Sequence, residues 1–497
     1  MFHYGQDQLT RPKAIALASA QLKGELPLAT ISGIQTARKA VEQMASGSKA
    51  VYGINTGFGP LCDTQITPEE TSLLQHNLLI SHAVGVGKPI APQVARLMLV
   101  CKLQALSQGY SGIRLEVIER IRYFLEHDLI PAVPEQGSVG ASGDLAPLSH
   151  LFLPLIGHGE FWDGQVLTPA ATVLNQRGLK PLQLQAKEGL ALINGTQFIL
   201  AHAVKGLDKM AYLLDLADLA GAMSLEGFQG SAAPFREDLH RIRPFAGSIT
   251  VATRIRQFLA DSENMQSHAA CSRVQDPYSI RCMPQVHGAS RNAFLHLEEL
   301  TAIELNAVTD NPIIIDAQTA ISGGNFHGQP LAMALDYCSL AAAELGNISD
   351  RRCYLLLEGK YGLPRLLTEA GGLNSGFMIP QYTTAALVTE NKSLCFPPSA
   401  DSIPTSLGQE DHVSMGSISG RRFNQILGNL EKILAIELMY AAQAMDFRRP
   451  LRFSVILEEN HALIRSVVPK LREDRLLKED IGRMVKLVEG RRLIVDT

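Results

Sequence analysis

The sequence predicts an all-α protein, built as a long helix bundle with a smaller loop-rich N-terminal part that carries a few short strands. Three observations carry this expectation. Apolar residues recur at helical spacing over stretches longer than the usual globular helix of roughly 8–20 residues. Strand-like alternation is scarce and short. Glycine-rich breaks interrupt the helical pattern at a few defined places.

The elements follow in order along the chain. Two glycine-rich zones, YGINTGFG at Tyr52–Gly59 and GSVGASG at Gly137–Gly143, mark the N-terminal part, expected to span residues 1–200. From Ile199 the positions Leu200, Val204, Leu207, Ala211 and Leu214 step by three and four, which puts them on one stripe of a helix. A short alternation around residues 311–315 reads as a strand. Leu331, Leu335, Cys338, Ala342 and Leu345 repeat the helical stepping, and a third stripe runs through Phe423, Ile426, Leu427, Leu430, Ile433, Leu434, Leu438, Ala441 and Met445. Core packing explains nearly all of these residues. Residues 201–497 are therefore expected to form the long-helix bundle and a C-terminal helical part. The segments 275–288 and 323–328 are glycine-containing joins, and loops held by rigid helices are where chemistry usually sits.

Composition excludes several classes. Among 497 residues, 45 Lys and Arg against 49 Asp and Glu give a formal charge of −4, so there is no electrostatic case for a nucleic-acid or anionic-membrane partner. At 46 % hydrophobic and 19 % charged, the chain is not disordered as a whole. The polar opening MFHYGQDQLTRPK reads as lacking a secretory signal, and no window reads as a membrane span; a soluble, cytoplasmic protein is the expectation. The seven cysteines, at 62, 101, 271, 282, 338, 353 and 395, contain no CxxC, which argues against a disulfide framework or a zinc finger.

Three familiar motifs fail on inspection. Gly85-Val86-Gly87-Lys88 suggests a phosphate loop, but His82 stands where the first glycine belongs and Pro89 follows the lysine where Ser or Thr should bind magnesium. Gly140-Ala141-Ser142-Gly143 lacks the spacing of a nucleophile elbow. The 14 histidines include no H-E-x-x-H pair, so no metal is expected.

The tripeptide Ala141-Ser142-Gly143 carries a sharper possibility. An arbitrary ASG is a turn, here with Asp144 capping the helix that begins after it. A glycine nitrogen, with no Cβ to obstruct it, can instead attack the carbonyl two residues back if the loop is tightly bent. Loss of two waters, one of them from the Ser142 side chain, would leave a 4-methylideneimidazol-5-one (MIO) ring, an electrophile made from the chain itself. The start of a helix beside it would favour negative charge developing there.

Together with GSVGASGDLAPLSH, the stretches VYGINTGFG, NLLISHAVGVG, EGLALINGTQ, VQDPYSIRCMPQVHG, TDNP, GGNFHG and QEDHVSMG resemble the aromatic amino acid ammonia-lyases, in family order from about Tyr52 to Met415. The resemblance implies a helical fold of the aspartase/fumarase type, a homotetramer, and active sites assembled from more than one subunit. It implies MIO formed from Ala141, Ser142 and Gly143 with no external cofactor, and covalent attachment of the amine to that ring as the way to make nitrogen a better leaving group.

Residue by residue, Tyr52 matches the family's β-proton base, although burial alone would raise a phenol's pKa, so that helix ends or a cation must counter it. Arg281 matches the carboxylate-binding arginine, whose planar fork suits a bidentate contact, and Tyr278 matches a second active-site tyrosine. Asn194 matches the asparagine that hydrogen-bonds the electrophile, while Gln275 and Phe326 match pocket-lining positions. Taken singly, each has a plainer reading: a core tyrosine, a surface salt bridge, an Asx turn or simple packing.

Within the family, Ser81-His82 and Glu410-Asp411 resemble the histidine-specific branch, whose reaction turns L-histidine into trans-urocanate. Imidazole nitrogens can meet a carboxylate and a second histidine, which a phenyl ring cannot. As a plainer alternative, Glu410 is a helix-cap carboxylate. Leu407-Gly408 departs from the more polar pair expected there. The competing expectations are a tyrosine or phenylalanine lyase or aminomutase on the same scaffold, and a helical scaffold without catalysis.

Overall fold

The long periodic segments are helices, and their apolar stripes are buried faces. In the computed structural model, which describes residues 1–47, 49–269 and 273–496, the three stripes fall within helices Gln197–Phe228, Gln329–Leu357 and Gly416–Asp446. Cys271 lies outside the described residues. Every stripe residue is buried except Ala211, which is half-buried. Each buried Leu, Ile or Phe contributes roughly 1.5–3 kcal/mol relative to exposure.

The spacing of the third stripe implies a single buried face. Over its last turns the helix goes further, because every residue from Ile433 to Met445 is buried, Glu437 and Gln443 included. A helix enclosed on all sides needs partners for those polar groups, and it has them. Gln443 Nε2 donates to the Leu471 carbonyl at 2.8 Å, and Glu437 sits in a network described below.

Strands are few and short, as expected. Glu160–Asp163 pairs antiparallel with Val166–Pro169 and with Ile130–Pro131, in a register that sets Phe161 opposite Thr168 and Trp162 opposite Leu167. Ile313–Ile314 pairs with Ala320–Ile321, so the alternation around 311–315 is a strand. Among the described residues no helix is long and apolar enough to cross a membrane.

The chain divides into two units. The first comprises Met1–Gly206, Leu297–Asp336 and Pro397–Arg421; the second comprises Leu207–His296, Tyr337–Phe396 and Arg422–Thr497. The chain first leaves the first unit six residues beyond position 200 and returns to it twice. Those two returns matter, since they bring Phe326 and Glu410 into the same unit as the glycine-rich zones of the N-terminal part.

Candidate active site

The bend at Ala141–Gly143 is held by backbone contacts to one other loop. Gly143 N–H donates to the Gly140 carbonyl at 3.3 Å, Gly195 N–H donates to the Ser142 carbonyl at 3.2 Å, and Asp144 N–H donates to the Gly195 carbonyl at 2.8 Å. Gly143 and Gly195 form a parallel bridge. Ser142 takes a left-handed φ of 48°, and Gly143 one of 86°. For a serine that conformation costs on the order of 1–3 kcal/mol and persists only where surrounding contacts impose it. A Cβ on Gly143 would stand 2.2 Å from the Gly195 oxygen, so nothing larger fits.

Asp144 was expected to cap the helix that follows it. Its side chain does not cap Leu145–Phe152. Its Oδ2 instead accepts from the N–H groups of Phe198 and Ile199, at 2.9 and 3.0 Å, in the first turn of the Gln197–Phe228 helix. The carboxyl is fully enclosed, and burial raises its pKa to about 7 against those two bonds and Lys102. The bend is thus tied by Asp144 to the start of a second, longer helix, fifty-four residues away in sequence.

Beside the bend opens a cavity of about 920 Å³, lined by residues of the first unit. Six of the anticipated positions line it: Tyr52, His82, Ser142, Asn194, Phe326 and Glu410. Ala141 and Gly143 flank Ser142 in the bend. Glu410 is no helix cap. It sits in the loop before Gly416–Asp446, where its Oε1 accepts from Ser142 Oγ at 3.3 Å and its Oε2 from Thr405 and Ser406 hydroxyls at 3.0 and 2.8 Å. Ser406, Leu407 and Gly408 all take positive φ, and Leu407 projects into solvent. The unusual Leu407-Gly408 pair thus lies in the turn that carries Glu410.

His82 ends the Pro68–His82 helix, with Nδ1 3.0 Å from Ser81 Oγ. Burial lowers its pKa, opposed by the Leu78 carbonyl and the Glu410 charge. The ring therefore favours the neutral form, which offers one donor and one acceptor. Tyr52 accepts from Gly59 N–H at 3.4 Å. Burial raises its pKa despite that bond, and Cys62 and Glu410 add to the rise. Asn194 Nδ2 donates to the Asn311 carbonyl at 2.8 Å, so the TDNP segment supports the site as well as lining it.

Gln275, Tyr278 and Arg281 belong to the second unit, and none of them lines this cavity. They form a cluster of their own. The Arg281 guanidinium lies 4.4 Å from the Tyr278 ring centre, Arg281 Nε donates to the Asp276 carbonyl at 3.0 Å, and a Gln275 amide turned with its oxygen toward Arg281 accepts at 2.9 Å. Tyr278 is 70 % exposed.

Sequence reasoning passed over Thr405 and Ser406, whose polar types are unremarkable in loops, and singled out Asn311 only as part of TDNP. It also passed over Lys102, for which a signal existed: it is the one charged residue in the apolar run of residues 97–106.

Comparison with known proteins identifies the family. The family model for aromatic amino acid lyases matches residues 9–466. Histidine ammonia-lyase of Sorangium cellulosum is 51 % identical over 469 residues, covering 92 % of this chain and 91 % of that one. The crystal structure of histidine ammonia-lyase from Trypanosoma cruzi superposes with a TM-score of 0.91 at 41 % identity, over 99 % of this chain and 94 % of that one. Tyrosine aminomutase from Streptomyces globisporus superposes at 0.93 with 33 % identity, over 99 % and 97 %. With the match running through the bend, the cavity and the long helices alike, the chain belongs to the aromatic amino acid lyase family.

Proposed function

We propose that the protein removes ammonia from L-histidine to give trans-urocanate, at an MIO group formed from Ala141, Ser142 and Gly143. The observation that carries the substrate choice is the pair of groups on one cavity, a carboxylate at Glu410 and a desolvated histidine at His82. Relatives about half identical over nearly their whole length carry the name histidine ammonia-lyase, which supports the same reading.

The residues of the bend suit the ring. Two positive φ values, a glycine that tolerates no Cβ, and carbonyls and amides pinned by Gly140 and Gly195 hold the tripeptide in a tight bend, which supports ring closure there. When formed, the group supplies an electrophile that draws electrons from the substrate amine, so that nitrogen departs as ammonia. Glu410 accepts an imidazole N–H, and His82 holds the ring from another side. Such paired polar groups can discriminate against an analogue lacking the hydrogen bond by up to ~10⁴–10⁵. Tyr52 takes the β-proton. Its raised pKa within one chain means that a positive group must act on it in the working enzyme.

A homotetramer with shared active sites supplies that charge. In this reading Arg281 binds the substrate carboxylate, with Tyr278 and Gln275 beside it, in a cavity of another copy. The exposure of Tyr278 supports this. The location is cytoplasmic, in keeping with free thiols at Cys62, Cys101, Cys282, Cys338 and Cys353.

A panel of amino acids followed by ultraviolet absorbance tests the reading. L-Histidine should give a rise at the urocanate band, with no comparable rise on tyrosine or phenylalanine. A flat trace on histidine with turnover of tyrosine, whether to an alkene or to a β-amino acid, would replace it with the lyase or aminomutase alternative.

A further inference from the structure

Lys102 lies on the Pro92–Ser107 helix and is only 2 % exposed. Lysine is almost never fully buried without a partner, because its head group loses water. The equally buried Lys187 has such a partner in Asp310, 2.7 Å away. Lys102 is different. Its Nζ donates to the Asn194 carbonyl at 2.5 Å, and among the described residues it forms no ion pair within 4.0 Å.

The geometry beyond that contact is specific. The Asn194 carbonyl and the Gly195 N–H belong to one peptide unit. Lys102 grips the oxygen side of that unit, and its N–H side donates to the Ser142 carbonyl at 3.2 Å. Hydrogen bonds in series polarise one another, so a donor on the Asn194 oxygen strengthens the Gly195 donor. We propose that Lys102 is a positioning residue for ring closure: it fixes the Asn194–Gly195 peptide, which fixes the Ser142 carbonyl and with it the curvature that brings the Gly143 nitrogen to the Ala141 carbonyl carbon. This rests on the ring-forming reading above.

The closure balances without oxidant or reductant. A bond forms between Gly143 N and Ala141 C. The Ala141 oxygen leaves as water with the protons of Gly143 N and Ser142 N, and the Ser142 hydroxyl leaves as a second water with the Ser142 Cα proton. Burial draws the Lys102 pKa down to about 7, opposed by Asp310 and Asp144 and assisted by Lys187. In either protonation state an N–H remains for the Asn194 oxygen, so the positioning contact survives.

The experiment compares unmodified protein with Lys102→Met and Lys102→Gln, the second of which keeps a donor without the charge. Intact mass on the folded fraction, followed from the moment of folding, counts chains that have lost two waters; circular dichroism confirms the fold. Expected are closure at least about tenfold slower in Lys102→Met, Lys102→Gln in between, and kcat lowered with KM little changed. Closure in Lys102→Met at the unmodified rate would overturn the role of Lys102 alone. Loss of fold in both variants would assign the lysine to the core and overturn it as well. Unmodified, active protein that retains both waters would instead overturn the ring reading itself.

Discussion

Buried charge is used differently around the bend of the first unit and among the long helices of the second. Around the bend, Lys102 and Asp144 act on backbone: the lysine on the Asn194 carbonyl, the aspartate on the Phe198 and Ile199 amides. Among the long helices of the second unit, charged side chains meet one another. Asp218 accepts from Arg254 Nε at 2.9 Å and from His287 Nδ1 at 2.8 Å, and also pairs with Arg291. His287 Nε2 faces Arg352 at 3.2 Å, and Arg352 binds both oxygens of Glu437. Since Arg352 can only donate, His287 is the neutral tautomer with its proton on Nδ1, in line with the lowering of its pKa by burial. Ser224 and Ser349 complete the Glu437 shell at 2.8 and 2.6 Å. This network joins side chains from five helices.

The difference separates two tasks. Ion pairs between helices set how those helices pack, and breaking one strands its partner in an apolar interior. A charge directed at peptide groups shapes a loop that helical hydrogen bonding cannot hold, and here that loop is the Ala141–Gly143 bend. Substitutions in the second unit's network should therefore change stability, and those around the bend should change chemistry.

Four substitutions test that separation, beginning with the largest effect. Ser142→Ala removes the hydroxyl whose loss would create the methylene, so turnover of histidine should vanish and intact mass should show no loss of two waters, with a melting temperature near that of the unmodified protein. Measurable turnover in that variant would exclude the mechanism. Tyr52→Phe should lower kcat by ~10²–10⁴ without altering the melting curve, the loss of one positioned base; a change in melting alone would make Tyr52 a packing residue.

Arg352→Met is the converse case. It leaves Glu437 unpaired, and denaturant unfolding should show a loss of about 3–5 kcal/mol, while the folded fraction keeps its kcat. A fall in kcat with unchanged stability would break the comparison. The smallest effect is expected from Glu410→Gln, which keeps acceptors for Thr405 and Ser406. It should reduce kcat/KM for histidine by the equivalent of about 1.5–3 kcal/mol, the worth of a hydrogen bond to a charged group, and leave melting alone. Equal kinetics would show that Glu410 does not read the imidazole.

Much of this was visible in the primary structure, for identifiable reasons. The stripes from Leu200, Leu331 and Phe423 became buried helix faces because helical hydrogen bonds are local and the 3.6-residue period sorts side chains wherever the partner surface lies. The bend was visible because Ala-Ser-Gly is the tripeptide that the proposed ring closure needs, whatever the packing around it. His82 and Glu410 were singled out through resemblance to a family, and periodicity alone would have missed both. Capping rules place Asp144 on the nearer helix, as in the plainer reading of the tripeptide, because they consider only adjacent residues, whereas the carboxylate finds its donors at Phe198 and Ile199.

The amino-acid order thus determined the helices, the glycine-rich breaks and the Ala141–Gly143 tripeptide, all of them consequences of neighbours along the chain. Tertiary structure alone decided that Glu410 would stand 3.3 Å from Ser142 across 268 residues, that Lys102 would reach Asn194, and that Gln275, Tyr278 and Arg281 would gather in the other unit. These are contacts between distant segments, which depend on how whole elements bury their apolar faces and which no local rule encodes.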